Sequence, residues 1–298
     1  FVYREATAFI PVSKQELAQP PAGDWLSWRR TLDGQGYSPL ASINRDNVHQ
    51  LKLAWALTMG EGSNQGTPLV RNGIMYLTHP GNRVQALDAA SGKPIWTVYT
   101  DAPVRLPPTI AGPNAYFGSD DGRAYCVKAS DGSAVWKYDA AVSERFVPSN
   151  GKMISLWPVR TGVLVAGDKA YFAASLLPWR KSNFCGVDAK TGAELFKTVA
   201  TGHAMQGAML ASDTQIFLPQ GRSGAVAFWL KDGKFVSTLG SKGDGGVHAA
   251  LTQDAQLIYG PGSKTGALTI RDSSSKKRVG VFAGASRVVI ADKIAYIY

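Results

Sequence analysis

Short apolar and polar runs follow one another along this chain in a repeating order. An apolar strand, a small polar turn and a second strand carrying an aromatic recur as TPLVRNGIMYL from Thr67, PTIAGPNAYFG from Pro108, TGVLVAGDKAYFA from Thr161, GAMLASDTQIFL from Gly207, AALTQDAQLIYG from Ala249 and RVVIADKIAYIY from Arg287. The anchoring aromatics are Tyr76, Tyr116, Tyr171, Phe217, Tyr259 and Tyr296, at successive spacings of 40, 55, 46, 42 and 37 residues. A second pattern follows each of the first three: VQALDAASGKPIW (Val84 to Trp96), AYCVKASDGSAVW (Ala124 to Trp136) and NFCGVDAKTGAELF (Asn183 to Phe196). Each is an apolar run, an Asp, a Gly turn and a strand that carries an aromatic. The fourth and fifth units degrade it to AFWLKDGKF and TIRDSSSKKRV.

Each unit therefore reads as four antiparallel strands in roughly 40 residues, with Gly, Asn and Asp where tight turns need positive φ. One four-stranded sheet cannot cover both of its faces, whereas radial stacking buries them between neighbours. The expectation is an all-β chain, a β-propeller of four-stranded antiparallel blades, holding about five and a half of them. Residues 1–50 read as an N-terminal extension packing on the propeller, and residues 51–298 as the propeller itself. LKLAWAL (Leu51 to Leu57) reads as an outer strand. A propeller must close, so further blades, or another chain, are expected to complete the ring, the alternative being a compact five- or six-bladed ring closed by the N-terminal strand. The third unit is long, at a spacing of 55 residues, because of an insertion, ERFVPSNGKMISLWPVR, from Glu144 to Arg160. Trp96 and Trp136, after the Gly turns, are expected to tuck between blades.

Propeller geometry also suggests where chemistry would lie. The innermost strand of each blade begins near the axis, and eleven residues before each anchor aromatic stand Gln65, Arg105, Arg160, Gln206 and His248. The sixth equivalent is Ala285, with Arg287 close by. Such a ring of donors, two of them cationic, suits an anionic, flat, carbonyl-rich ligand such as a quinone carboxylate. His203 and Trp157, three residues upstream in their units, are candidates for the same mouth. Asp88, Asp131 and Asp188 fit Asx-type turns that accept backbone N–H groups. SDDGR, from Ser119 to Arg123, is either a hairpin turn or a carboxylate pair for a cation. His49 and His79 read as surface or capping residues, and Ser13 with Glu16 as a capping box.

Charge and composition narrow the partners. The formal net charge is +10, which implies either a solvated basic surface or a face for an acidic partner: a cytochrome, an anionic polysaccharide or lipid headgroups. The basic residues are scattered without a basic helix or an aromatic–basic stripe, which argues against nucleic acid. No apolar run approaches the ~20 residues of a membrane span. There are two cysteines, Cys126 and Cys185, open to a disulfide or to two free thiols. No CxxCH is present, so the chain carries no c-type haem, and no CxxC or His-rich cluster suggests a metal site. The sequence starts at Phe1, which fits either a processed, exported protein or a stretch that begins inside a longer chain.

DWLSWRRTLDGQGYSPLASINRDNVHQLKLAWAL, from Asp24 to Leu57, resembles the N-terminal segment of the pyrroloquinoline-quinone-dependent alcohol dehydrogenases. The resemblance continues in the same order through GTPLVRNGIMYL to VQALDAASGKPIW and covers about the first third of the chain. The remainder resembles the wider quinoprotein-like propeller repeats, including envelope scaffold proteins. What the resemblance implies is an eight-bladed propeller whose ALDAxTGxxxW turns dock tryptophans. It further implies pyrroloquinoline quinone (PQQ) with calcium at the axis, oxidation of an alcohol or sugar, electron transfer to a cytochrome, and a periplasmic or extracellular location. The family's vicinal Cys–Cys pair has no counterpart here, and its calcium cage and catalytic Asp match no motif of this chain. The other class that shares these repeats is the non-catalytic propeller, a scaffold or a protein- or polysaccharide-binding module of the cell envelope.

Overall fold

The computed structural model describes residues 9–31, 33–60, 66–240, 243–246, 248–252, 254–261, 264, 266–291 and 294–298. It is an all-β propeller in which each sequence unit is one antiparallel sheet, ordered from the inside outward as in the chain. Blade one is β1 (Leu69–Arg71), β2 (Ile74–Thr78), β3 (Arg83–Asp88) and β4 (Pro94–Tyr99). Blade two is β5 (Thr109–Ala111), β6 (Asn114–Gly118), β7 (Arg123–Lys128) and β8 (Ala134–Asp139). The insertion forms its own hairpin, β9 (Phe146–Ser149) and β10 (Lys152–Ser155). Blade three is β11 (Leu164–Ala166), β12 (Lys169–Ala174), β13 (Ser182–Asp188) and β14 (Glu194–Ala200). Blade four is β15 (Leu210–Ala211), β16 (Gln215–Gln220), β17 (Ser223–Trp229) and β18 (Phe235–Thr238). Blade five is β19 (His248–Leu251), β20 (Gln256–Gly260), β21 (Ala267–Asp272) and β22 (Arg278–Ala283), followed by the two-stranded sheet β23 (Val288–Ala291) and β24 (Ile294–Ile297).

The second and third strands of the inner blades are largely buried on both faces, because a neighbouring blade covers each side. β6 and β16 are buried at every position, and β12 and β13 at all but one. Hydrophobic layers fill the gaps in succession: Tyr171, Phe184 and Phe228 between blades three and four, then Phe217, Ala249 and Tyr259 between blades four and five. Tyr296 is the exposed anchor aromatic, since no further layer covers it among the described residues.

The two sequence patterns meet in one inter-blade joint. Tyr76 Oη and Trp96 Nε1, from β2 and β4, both donate to the Ala129 carbonyl of the next blade, at 3.1 and 2.9 Å. Tyr116 Oη and Trp136 Nε1 repeat this on Ala189, at 3.1 and 3.0 Å. The indole lies on the following Gly turn. A Cβ at Gly192, where φ is +74°, would stand 2.7 Å from Trp136 Cγ, so both backbone and space require glycine there. In blade three Phe196 replaces the Trp, packs on Gly233, and leaves Tyr171 Oη alone on the Leu230 carbonyl. Asp88, Asp131 and Asp188 accept backbone N–H bonds within their own turns, from Ser91, Ser133 and Thr191 at 2.7, 2.8 and 2.8 Å. Residues 51–60 form no strand, which differs from the outer strand expected at Leu51 to Leu57. Trp55 nevertheless makes the same joint, with its Nε1 3.0 Å from the Ala89 carbonyl and its ring against Gly92. Docking a side chain does not require the backbone to pair.

The N-terminal segment runs along the innermost strands. The capping box of Ser13 and Glu16 opens α1 (Lys14–Ala18). Val12 bridges Gly112, Trp25 bridges Val70, the Leu26 carbonyl receives Ile110 N–H and the Asp33 carbonyl receives Leu251 N–H. Arg29 reaches the Val288 carbonyl at 3.1 Å. These contacts touch blades one, two and five and the final two-stranded sheet, so the segment fills the centre of the propeller with Leu26 fully buried. Arg71 holds it in place through Asp24 at 2.6 Å, Glu16 at 2.9 Å and the carbonyls of Ile10 and Pro11.

Both cysteines are free and buried, on β7 and β13, so they form no disulfide with each other. Burial pushes each thiol up to about 12. We expect a thiol reagent such as Ellman's to label neither cysteine in the folded protein at pH 8, and both once denaturant is added, because the thiolate is the reactive form. Fast labelling of the native protein at that pH would contradict the packing. His79 corrects the surface expectation: it is 2% exposed, with its Nδ1 2.7 Å from Arg83 Nη2.

Candidate functional site

Arg105 and Arg160 each stand four residues before the innermost strand of their blade, β5 and β11. They converge on one carboxylate. Arg105 Nε lies 2.9 Å from Asp120 Oδ2, while Arg160 Nε and Nη2 lie 2.7 and 2.8 Å from Oδ1 and Oδ2. Asp120 is in the β6–β7 turn and its side chain is fully buried, whereas both arginine side chains are 19% exposed. Two cations against one anion leave one formal positive charge. Arg105 Nη1 and Nη2 and Arg160 Nη1 have no hydrogen-bond partner among the described residues, and they remain available as donors.

The exposed edges of the two guanidinium groups open onto a cavity of about 550 Å3. Gln206, four residues before β15, lines the same cavity, so three of the five ring candidates come together. Gln65 lies outside the described residues. His248 opens β19 and pairs with Gly260, inside the strand rather than in a loop before it. Trp157 and His203 do not line the cavity. Trp157 is buried and donates to the Lys181 carbonyl, and His203 lies at 5.5 Å between ring centres on Phe235. Arg287 is exposed and pairs through its backbone with Tyr298.

Three further contributors to this cavity are absent from the ring pattern. Trp28 comes from the central N-terminal segment, and Ser149 and Asn150 come from the tip of the inserted hairpin. The tip is a tight Asn150–Gly151 turn with φ of +50° and +74°, the signature of a type I′ hairpin turn. Asp120 was legible as part of SDDGR, and it does sit in a hairpin turn. Its carboxylate, however, holds the arginine that precedes its own blade and the one that precedes the next. Its neighbour Asp121 looks elsewhere, receiving Tyr125 Oη at 2.5 Å and Arg123 N–H at 2.9 Å, and burial raises its pKa. The backbone around Asp120 also fixes the hairpin: Ser155 N–H donates to the Asp120 carbonyl at 2.7 Å. One turn therefore positions both arginines and the base of the hairpin.

Arginine forks on a buried carboxylate are preorganised for a second carboxylate, since the guanidinium planes are already fixed and their remaining N–H groups still need an acceptor. A cation is a poor fit. Both oxygens of Asp120 are engaged by guanidinium groups, and among the described residues no cluster of three or more His, Cys, Asp or Glu could hold a metal.

Residues 25–106 match the family model for the glucose/ethanol/alcohol dehydrogenase β-propeller domain. Residues 105–256 match the model described as outer membrane protein assembly factor BamB, a PQQ-type repeat. Over 126 residues the chain is 40% identical to the dehydrogenase subunit of a quinone alcohol dehydrogenase from Gluconobacter oxydans, covering 38% of this chain and 17% of that protein. Among solved structures, a quinohemoprotein alcohol dehydrogenase from Pseudomonas putida HK5 superposes with a TM-score of 0.77 at 21% identity, over 93% of this chain and 51% of that one. A europium-containing methanol dehydrogenase superposes with a TM-score of 0.74 at 15% identity, over 91% of this chain and 60% of that one. The chain thus spans less than a fifth of this curated relative and about half to three-fifths of these solved enzymes.

Proposed function

The chain belongs to the PQQ-type β-propeller family, and from that membership we propose that it is the carboxylate-binding propeller of a quinoprotein-type oxidoreductase. The observation that supports this reading is the pair of guanidinium groups fixed on Asp120 at the edge of a cavity, with three terminal nitrogens uncommitted among the described residues. The whole protein would oxidise an alcohol or sugar, pass electrons to a cytochrome and work in the periplasm, with its basic surface facing the acidic partner.

PQQ fits these residues in part. One of its carboxylates suits Arg105 and Arg160, and Trp28 and Leu106 offer apolar surface to its flat rings. When bound, the quinone supplies a two-electron acceptor. The calcium that accompanies it does not fit the described residues, for the reasons given above. That mismatch favours a second reading, in which this stretch binds ligand without oxidising it, as an envelope recognition module.

A carboxylate panel tests the site. With PQQ, glucuronate and acetate at fixed ionic strength, we expect Arg105→Ala and Arg160→Ala each to weaken carboxylate binding by at least about tenfold, the worth of a charge-assisted hydrogen bond. An unchanged melting temperature in Arg105→Lys serves as the folding control. Carboxylate binding that survives both alanine variants would place the site elsewhere. Reduction of a redox dye by alcohols or aldoses, in the presence of PQQ and calcium, separates the oxidoreductase from the recognition module.

A further inference from the structure

Resting on the carboxylate-site reading, we infer that the ligand of this cavity is a singly charged, polyhydroxylated acid of the uronic or aldonic class, a substrate rather than the quinone. Charge comes first. Arg105, Arg160 and Asp120 together carry one positive charge, which matches one carboxylate, whereas PQQ brings three.

The rest of the lining is neutral and two-faced. Ser149, Asn150 and Gln206 each offer both donor and acceptor atoms, the pairing that sugar hydroxyls need. Arginines alone would supply donors and select for charge. Trp28, Leu106 and Ala208 complete the wall with apolar surface, which suits the C–H faces of a sugar ring. The volume of about 550 Å3 falls in the range of small-molecule sites, about 300–1,000 Å3.

The hairpin supplies the hydroxyl-binding half of this selection. β9 and β10 arise from the insertion that stretches one repeat spacing to 55 residues. Their base is tied to the Asp120 carbonyl through Ser155 and to the Arg145 carbonyl through Leu156, both at 2.7 Å. Their tip brings Ser149 and Asn150 to the same cavity that the two arginines line. The carboxylate and hydroxyl contacts are thus built from one fixed turn, with no rearrangement needed to assemble them.

The test is a titration followed by tryptophan fluorescence and calorimetry, using glucuronate, glucose, acetate and PQQ. Wild-type protein should bind glucuronate at least about tenfold tighter than either glucose or acetate, because each lacks one half of the contacts. Ser149→Ala and Asn150→Gly, the latter keeping the positive φ of the turn, should weaken glucuronate about three- to tenfold while leaving acetate unchanged. Arg105→Ala should reduce glucuronate and acetate binding alike. If PQQ or acetate binds through Arg105 and Arg160 more tightly than glucuronate, the carboxylate site stands and the sugar-acid class is wrong. If the hairpin variants leave glucuronate untouched, its selectivity does not come from the tip, and the inference fails. If no carboxylate depends on the two arginines, the site reading fails and the inference with it.

Discussion

Asp120→Asn should destabilise the protein by about 3–5 kcal/mol, the cost of breaking a buried ion pair by removing one partner. The asparagine is nearly isosteric, so no cavity forms. What changes is that two guanidinium groups, now without a counter-charge, face one another beside a buried amide. Both arginine side chains are mostly sheltered, and water can relieve little of their repulsion. Denaturant unfolding measures the loss. The same variant should loosen the base of the β9–β10 hairpin, seen as faster amide exchange at Ser155, whose N–H bonds the Asp120 carbonyl. Asp120→Asn/Arg160→Met should recover part of the stability by removing one of the stranded cations. An Asp120→Asn protein as stable as wild type would show that the three charges are not coupled.

Trp136→Ala is expected to cost about 3–5 kcal/mol, from lost packing and the cavity left behind. Trp136 is 9% exposed and fills the space over Gly192, and its Nε1 shares the Ala189 carbonyl with Tyr116. Its melting temperature should fall by about 10 °C. Trp136→Phe keeps most of the apolar contact and loses the indole donor, but Tyr116 still satisfies the carbonyl. It should cost clearly less than alanine, and Phe196 occupies the equivalent place in blade three in just this way. Calorimetry on the two variants separates packing from hydrogen bonding. Equal losses would assign the joint to the hydrogen bond instead.

Much of the fold was legible because it is periodic. Tyr76, Tyr116 and Tyr171 recur at blade spacing since each fills the same gap between sheets, and the Gly after each Asp turn recurs because an aromatic lies on it. The insertion announced itself as a long spacing. The site was legible in part. Counting back from the anchors found Arg105, Arg160 and Gln206, since the residue before an innermost strand holds nearly the same place in each blade. The count did not distinguish His248, which the backbone draws into β19. His79, Trp157 and His203 were misplaced because burial and stacking depend on loops that do not repeat.

Sequence alone determined the class of the chain: the blade repeats within this stretch, strand order within a blade, the inter-blade aromatics and the place of the two cysteines in two different repeats. These follow from local period and turn chemistry, which act over a few residues. Tertiary structure alone decided that the N-terminal segment fills the centre, that the insertion returns to the cavity, and that Asp120 binds both the arginine before its own unit and the one before the next. Asp120 lies 15 residues from Arg105 and 40 from Arg160, and no local pattern records which carboxylate two distant cations will share. That choice is set by the radial stacking of blades, which brings a turn of one repeat beside the start of its own first strand and that of the next repeat and buries the carboxylate between them.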